Sequence, residues 1–218
     1  MQEQRIFLVS AGRVSMGPAD EAFKRCWPEA RPIHILDESL SSDGARLGAS
    51  SAKIFERFDL IGEYCERARA DALLFTCSAF AEAIGRVRRA RRFPVLTPNE
   101  ALFERLLRID GPTAVLVTFP ASMEALRSEL AAQAKVAGLE ARVDFHFVAD
   151  AYNKPDHDQR IAQACEQLGS RYRALALGQY SMATALAQAS RSCAVPVWDT
   201  PTTSVEKLRS LCGAVSPD

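Results

Sequence analysis

The sequence predicts an α/β protein of two lobes, each a mostly parallel four-stranded sheet flanked by helices. Three observations lead there. Short apolar segments alternate with helical patterns along the whole chain. The second half repeats the scheme of the first, and no low-complexity linker interrupts it.

The first strand is read at RIFLVS (5–10), where four apolar residues, Ile6 to Val9, follow the charged Glu3 and Arg5. That run is too short and too charged for a signal peptide. RPIHIL (31–36), ALLF (72–75) and FPVL (93–96) are the next three strands, each bounded by breakers or polar residues. Between the second and third, Ile54, Phe55, Phe58, Ile61 and Cys65 recur at three- and four-residue spacing, the apolar stripe of a helix. TAVLVT (113–118), ARVDFHFV (141–148), RALALG (173–178) and VPVW (195–198) repeat the set. In ARVDFHFV, Val143, Phe145 and Phe147 alternate with Arg142, Asp144 and His146, as in an edge strand with one wet face. YNKPDHD (152–158) reads as a loop leading into a proline-started helix, and its position makes it a candidate lid.

The repetition extends to individual residues. ADALLFTCSAFAEAI (70–84) aligns without gaps on YRALALGQYSMATAL (172–186), and the register carries on to Pro94-Val95 against Pro196-Val197. A second match pairs IFLVS (6–10) with AVLVT (114–118), and Ser15-Met16 with Ser122-Met123. The expected division is residues 1–98 plus 199–218 for the first lobe and 99–198 for the second, with equivalent strand ends facing a cleft. Gln179 then stands where the first lobe has Cys77.

Composition excludes several classes of function. The 27 basic residues balance the 27 acidic ones, so no overall charge draws the chain to nucleic acid or an acidic membrane. RVRRARR (86–92) is a dense basic run, but it has no interleaved aromatics and reads as a solvated helix face or a contact to another subunit. No apolar stretch approaches the ~20 residues of a membrane span. The six cysteines show neither CxxC pairs nor zinc spacing, and the three histidines are dispersed, so disulfides and metal are not expected and a reducing cytoplasm is. Cys26, Cys65, Cys165 and Cys212 sit in helical patterns as small apolar residues.

Cys77 has a different address, at the carboxyl end of a strand and the start of a helix. Ligands of open parallel sheets bind beyond the carboxyl ends of the strands. Four such ends are polar here: Ser10 with its GRVSM loop, Thr76-Cys77-Ser78, Thr118 with Ser122, and Gln179-Tyr180-Ser181. A helix start favours an anion and should lower a thiol below its usual ~8.5, so the residues point to a carboxylate beside a thiolate. His34, Asp37 and Glu38 fall near the end of the second strand, and Asp37 or Ser39 is expected to cap the next turn.

At these residues the sequence resembles the cofactor-independent aspartate/glutamate/hydantoin racemase superfamily, which also contains arylmalonate decarboxylase and maleate isomerase. The anchors are TCSAF (76–80), VTFPAS (117–122), LGQYS (177–181) and PVWDTP (196–201). The resemblance implies two pseudo-symmetric Rossmann-like lobes with the active site in the cleft between them, no pyridoxal phosphate or metal, and dimers or larger assemblies. It implies Cys77 as a catalytic acid/base with Ser78 beside it, and Ser10, Thr118 and Ser122 as contacts to a small carboxylic acid. Gln179, Tyr180 and Ser181 complete that pocket. Where the family's racemases carry a second cysteine this chain has Gln179, and an amide cannot exchange a proton at neutral pH. Tyr180, His34 or Asp199 could supply a second acid; the reaction could be one-sided, as in a decarboxylase or isomerase; or Cys77 could attack covalently. A binding protein without catalysis on the same scaffold is the rival from another class, and a redox-sensing thiol protein lacks a matching partner cysteine.

Overall fold

The computed structural model describes residues 3–214. They fall into two compact units, one running up to Pro98 and resuming at Ser204, the other spanning Asn99–Thr203. The second boundary lies a few residues beyond the position before Asp199 read from the sequence.

The first unit contains β1 (Arg5–Ser10), α1 (Met16–Cys26), β2 (Arg31–Leu36), α2 (Ser39–Leu47), α3 (Ala52–Arg67), β3 (Ala72–Phe75), α4 (Ala81–Ala90) and β4 (Val95–Leu96). Its sheet runs β2-β1-β3-β4, with every pair parallel. The second contains α5 (Glu100–Leu107), β5 (Thr113–Val117), α6 (Met123–Ala137), β6 (Val143–Phe147), α7 (His157–Gly169), β7 (Ala174–Leu177), α8 (Leu186–Ser192) and β8 (Val197–Asp199). Its sheet runs β6-β5-β7-β8, again parallel throughout. The last helix, α9 (Thr200–Ala214), starts in the second unit and continues in the first.

All eight expected strands form. The fourth is shorter than read, because Pro94 has no N–H to donate, although its carbonyl accepts the Leu73 amide at 2.9 Å. β3, β5 and β7 are buried along their whole length, as parallel strands covered on both faces must be. In the first unit Phe7, Val9, Leu73 and Phe75 pack against Ile54 and Phe58 of α3 and Ala83 and Ile84 of α4. In the second, Ala114, Leu116, Leu175 and Leu177 pack against α7 and α8, and Val115, Val117 and Ala176 face α5 and α6.

Strand pairing corrects one part of the internal match. Ala72 pairs with Ile6, whereas its equivalent Ala174 pairs with Thr113. β1 and β5 therefore correspond one residue out of step with the IFLVS-to-AVLVT alignment. A slip of one residue exchanges the faces of a strand, and packing decides the matter: Phe7 and Val9 do for α3 and α4 what Ala114 and Leu116 do for α7 and α8. Ser10 is thus the counterpart of Val117, and Ala11 that of Thr118. Ser15-Met16 keeps its match to Ser122-Met123.

Cys65, Cys165 and Cys212 are buried, and burial pushes their thiols up to about 12, 12 and 11; Cys26 is partly exposed. The clean alternation read for β6 fails at its end. Phe147 is exposed, while His146 turns in to Tyr172, whose hydroxyl lies 2.7 Å from the His146 Nε2 and donates to Asp144. A buried tyrosine needs partners for its oxygen, and the edge strand supplies them. The basic run lies along α4, where Arg86 pairs with Asp59 and Arg91 with Glu66, both on α3. These helices approach closely because Gly62 has no Cβ, which would meet Val87 Cγ1 at 2.8 Å. Among the described residues no helix is long and apolar enough to cross a membrane.

Phe58 stacks on Phe75 and touches Phe80, both with ring centres 5.1 Å away, and is fully buried. Phe58→Ala is expected to destabilise the first unit by ~3–5 kcal/mol, read as a fall in the urea midpoint followed by fluorescence and circular dichroism.

Candidate functional site

The two central strands of each unit end in the same device. β1 passes through a 3-10 turn (Arg13–Ser15) into α1, β3 through Ser78–Phe80 into α4, β5 through Pro120–Ser122 into α6, and β7 through Tyr180–Ala185 into α8. Ser15 and Ser122 stand at the helix starts without capping them. Their hydroxyls instead reach back to the carbonyls of Gly12, at 3.0 Å, and Phe119, at 2.8 Å.

In the first unit three buried hydroxyls interlock. Ser15 and Thr76 oxygens lie 2.9 Å apart, and each is within hydrogen-bond distance of Ser10 Oγ, at 3.1 and 3.0 Å. Ser10 is fully buried, and its oxygen is occupied by these two neighbours. Sequence reasoning named Ser10 but not Ser15 or Thr76 as site residues. The recurrence of Ser15-Met16 at Ser122-Met123 was the signal for Ser15.

Cys77 follows directly, partly exposed, with extended backbone. Burial pushes the thiol above its ordinary range, against the lowering expected from a helix start, and the backbone amide of Ala79 offsets this only in part. A thiolate here gives up water. Ser78, partly exposed, opens the same turn.

The second unit places Gln179 at the equivalent point, also in extended backbone. Its side-chain oxygen accepts the Thr118 backbone N–H at 2.7 Å and the Thr118 hydroxyl at 3.0 Å, and its Nε2 donates to Ser122 Oγ at 3.0 Å. The orientation of the amide is fixed chemically, because a backbone N–H can only donate. Thr118, Ser122 and Gln179 are therefore brought together. Gly178, just before Gln179, lies tight against β5: a Cβ there would meet Val115 Cγ1 at 2.6 Å and the Leu116 carbonyl oxygen at 3.2 Å. Below the turn, Thr200 donates to the Leu177 carbonyl at 2.9 Å.

The remaining predicted residues are distributed differently. Tyr180 is buried at the start of its turn, and the carbonyl of Ser181 faces His157. Asp199 is buried and caps α9 by accepting the Thr202 N–H at 2.8 Å. His34 pairs with Leu8, two residues short of the end of β1, and its Nε2 lies 2.8 Å from Asp20 of α1. Asp37 accepts from the Ser39 amide and is gripped by Arg57. Among the described residues no cluster of three or more His, Cys, Asp or Glu side chains could hold a metal ion. Beside Thr118, the half-exposed rings of Phe119 and Tyr152 lie 5.6 Å apart.

Comparison with known proteins agrees with this layout. The profile of the family described as Asp/Glu/Hydantoin racemase matches residues 19–208. No curated protein matches the sequence significantly. Among solved structures, the chain is similar to allantoin racemase from Klebsiella pneumoniae, with TM-score 0.75 and 16% identity over 97% of this chain and 89% of that one. It is similar to Picrophilus torridus aspartate racemase, with TM-score 0.70 and 11% identity over 96% and 94%. A mutant of arylmalonate decarboxylase in the sulfate ion associated form gives TM-score 0.68 and 15% identity over 97% and 94%. At these identities the likeness is one of fold.

Two outcomes follow from the geometry. Alkylation of Cys77 by iodoacetamide, mapped by mass spectrometry, should be slow at neutral pH and still rising above the ordinary thiol value of ~8.5; a plateau below it would contradict a thiol raised by burial. Gly178→Ala should cost ~1–3 kcal/mol in chemical denaturation, because the clash includes backbone that cannot give way.

Proposed function

The chain belongs to the Asp/Glu/Hydantoin racemase family, and from that premise we propose an enzyme that uses Cys77 to deliver a proton to one face of the carbon alpha to a carboxylate. The observation that carries this reading is the asymmetry of two equivalent positions: a cysteine whose thiol is pushed up by burial at 77 and an amide at 179. A thiol can give a proton and recover it, whereas an amide does neither near neutral pH. One acid gives the reaction a direction. A carbanion of enediolate character, left when one of two carboxylates on the α carbon departs as carbon dioxide, takes the Cys77 proton at that carbon. The S–H bond breaks as the C–H bond forms, and the thiolate left behind is reprotonated by water.

Thr118, Ser122 and Gln179 are the proposed carboxylate ligands. In the ligand-free protein the Gln179 oxygen takes two donors from Thr118, as a carboxylate oxygen would. A bound carboxylate would take over those donors, or meet the Nε2 hydrogen that Ser122 leaves unused. Ser78 follows Cys77 after β3, Tyr180 and Ser181 follow Gln179 after β7, and Ser10 serves by holding Ser15 and Thr76. Phe119 and Tyr152, next to Thr118, support an acid with an apolar or aromatic substituent. No cofactor takes part in this scheme, and Tyr180, His34 and Asp199 are not needed as second acids.

A binding protein remains the second reading, favoured by the closed hydrogen bonding of Gln179 on its own neighbours. Proton NMR in deuterium oxide separates the two, over a panel of amino acids, hydantoins, arylmalonates and maleate. The enzyme should give a product deuterated at the α carbon in one configuration, slowed ~10²–10⁴-fold in Cys77→Ala. Gln179→Cys, which adds a second thiol, should erode that stereospecificity. Turnover unchanged in Cys77→Ala would sink the proton-donor role, and binding without any turnover would establish the second reading.

A further inference from the structure

We infer that the Gln179 side chain is a self-ligand: it occupies the donors of Thr118 in the resting protein, and a carboxylate binds there only by displacing it. The inference rests on reading Thr118 and Ser122 as carboxylate ligands, and it concerns how access to them is regulated.

Every donor and acceptor in the cluster is fixed by chemistry. A backbone N–H can only donate, and an amide oxygen can only accept. Thr118 therefore gives both its N–H, at 2.7 Å, and its hydroxyl hydrogen, at 3.0 Å, to Gln179 Oε1. The Ser122 hydroxyl gives its one hydrogen to the Phe119 carbonyl at 2.8 Å. Toward Gln179 it thus presents a lone pair, which accepts from Nε2 at 3.0 Å. Two donors and one acceptor side by side are the complement of a carboxamide. A carboxylate suits the Thr118 pair equally well, but it gains Ser122 only after that hydroxyl turns away from Phe119. At rest the cluster is wired for its own glutamine.

The occupancy follows from where the sheet ends. β7 bonds to β5 as far as the Gly178 N–H on the Leu116 carbonyl, at 2.9 Å. The next donor on that edge of β5 is the Thr118 N–H, and it meets a side chain instead of a strand. Thr118 is buried, so a donor left without a partner there is costly. Gln179 removes that cost by supplying the missing acceptor, and it does so with its side chain alone. Its backbone is extended and held on both sides, by the Gly178 N–H before it and by its own carbonyl, which accepts the Met182 N–H at 3.0 Å. Gln179 is only partly buried, so the side chain can swing outward without any change in the turn.

A tethered group competes with a free one at high effective concentration. The apparent affinity for a carboxylate is the intrinsic affinity reduced by the fraction of molecules whose donors are open. Loss of the Gln179 amide should then tighten carboxylate binding. A residue that only contributes contacts to a ligand does the opposite when it is removed.

The test titrates malonate into the whole ¹⁵N-labelled protein, with sodium chloride holding ionic strength constant, and follows the Thr118 backbone amide. Gln179→Ala, and Gln179→Met, which keeps the length without an oxygen or N–H, should each bind about tenfold more tightly than the parent chain, the effect of one net hydrogen bond released from competition. In the parent chain malonate should move the Gln179 side-chain amide signals to those of a solvated glutamine. Thr118→Val, which removes the shared hydroxyl, should weaken malonate binding about tenfold in a Gln179 variant. In the parent chain it should weaken binding far less, because occupant and ligand lose the same bond. A merely structural glutamine would not produce that difference. Affinity unchanged or weakened in the Gln179 variants that remain folded by circular dichroism overturns the self-ligand, as does malonate bound with the Gln179 amide unmoved. A Thr118 amide that ignores malonate in all of these chains overturns the carboxylate reading itself, and the inference with it.

Discussion

A parallel strand covered on both faces has nowhere to put a polar side chain except at its ends, and this constraint organises both units. β3, β5 and β7 bury every residue they contain, and β1 all but its first. Polar groups follow one step further on in each unit: Thr76 and Cys77 after β3, Thr118 after β5, Gln179 after β7. The backbone there is still ordered by the sheet, since the Thr76 and Gly178 amides bond to the neighbouring strands at 2.9 Å. The chemistry is therefore rigidly held without being part of the core, which is the support a site needs.

Exchange of a thiol for an amide does more than delete an acid. Gln179 is long enough to reach Thr118 and Ser122, and it brings an acceptor and donors to a point where a cysteine offers neither in strength. The residue before it is Gly178, packed tight against β5, whereas the first unit places Thr76 at that position and uses its hydroxyl to join Ser10 to Ser15. Two solutions to one problem result. One unit ties its strand ends together with hydroxyls and leaves the thiol unengaged by any side chain; the other ties them with the residue that replaces the thiol. The duplicated backbone is common to both, and the side-chain networks have diverged around the residue at 77 and 179.

Much of this was legible in the sequence because apolar periodicity and internal repetition are one-dimensional signals. The eight strands, the α3 stripe of Ile54, Phe58 and Cys65, and the cluster at Thr118, Ser122 and Gln179 are all written locally or through the repeat. The register of β1 against β5 was not, because IFLVS and AVLVT match best one residue away from where the faces require. Only the pairing of Ala72 and Ala174 with their neighbours distinguishes the two registers. The surroundings of the Cys77 thiol were not legible either. Sequence shows a helix following a strand, but not that a 3-10 turn intervenes, nor the burial that pushes the thiol up.

In the proposed reaction, the raised thiol of Cys77 bears on which half of the proton-transfer cycle would be favoured. An enzyme that begins by abstracting an α proton needs a base at rest, and the desolvation that raises this thiol works against it. An enzyme that begins by breaking a different bond and ends by protonating carbon needs an acid at rest, and the same desolvation serves it. The cost then falls on the thiolate formed at the end of the cycle, whose recovery of a proton is made favourable by that raised pKa. Burial of Cys77 and replacement of its counterpart by Gln179 thus press in the same direction. In the proposed reaction each would weaken exchange between two faces, and together they would favour delivery to one.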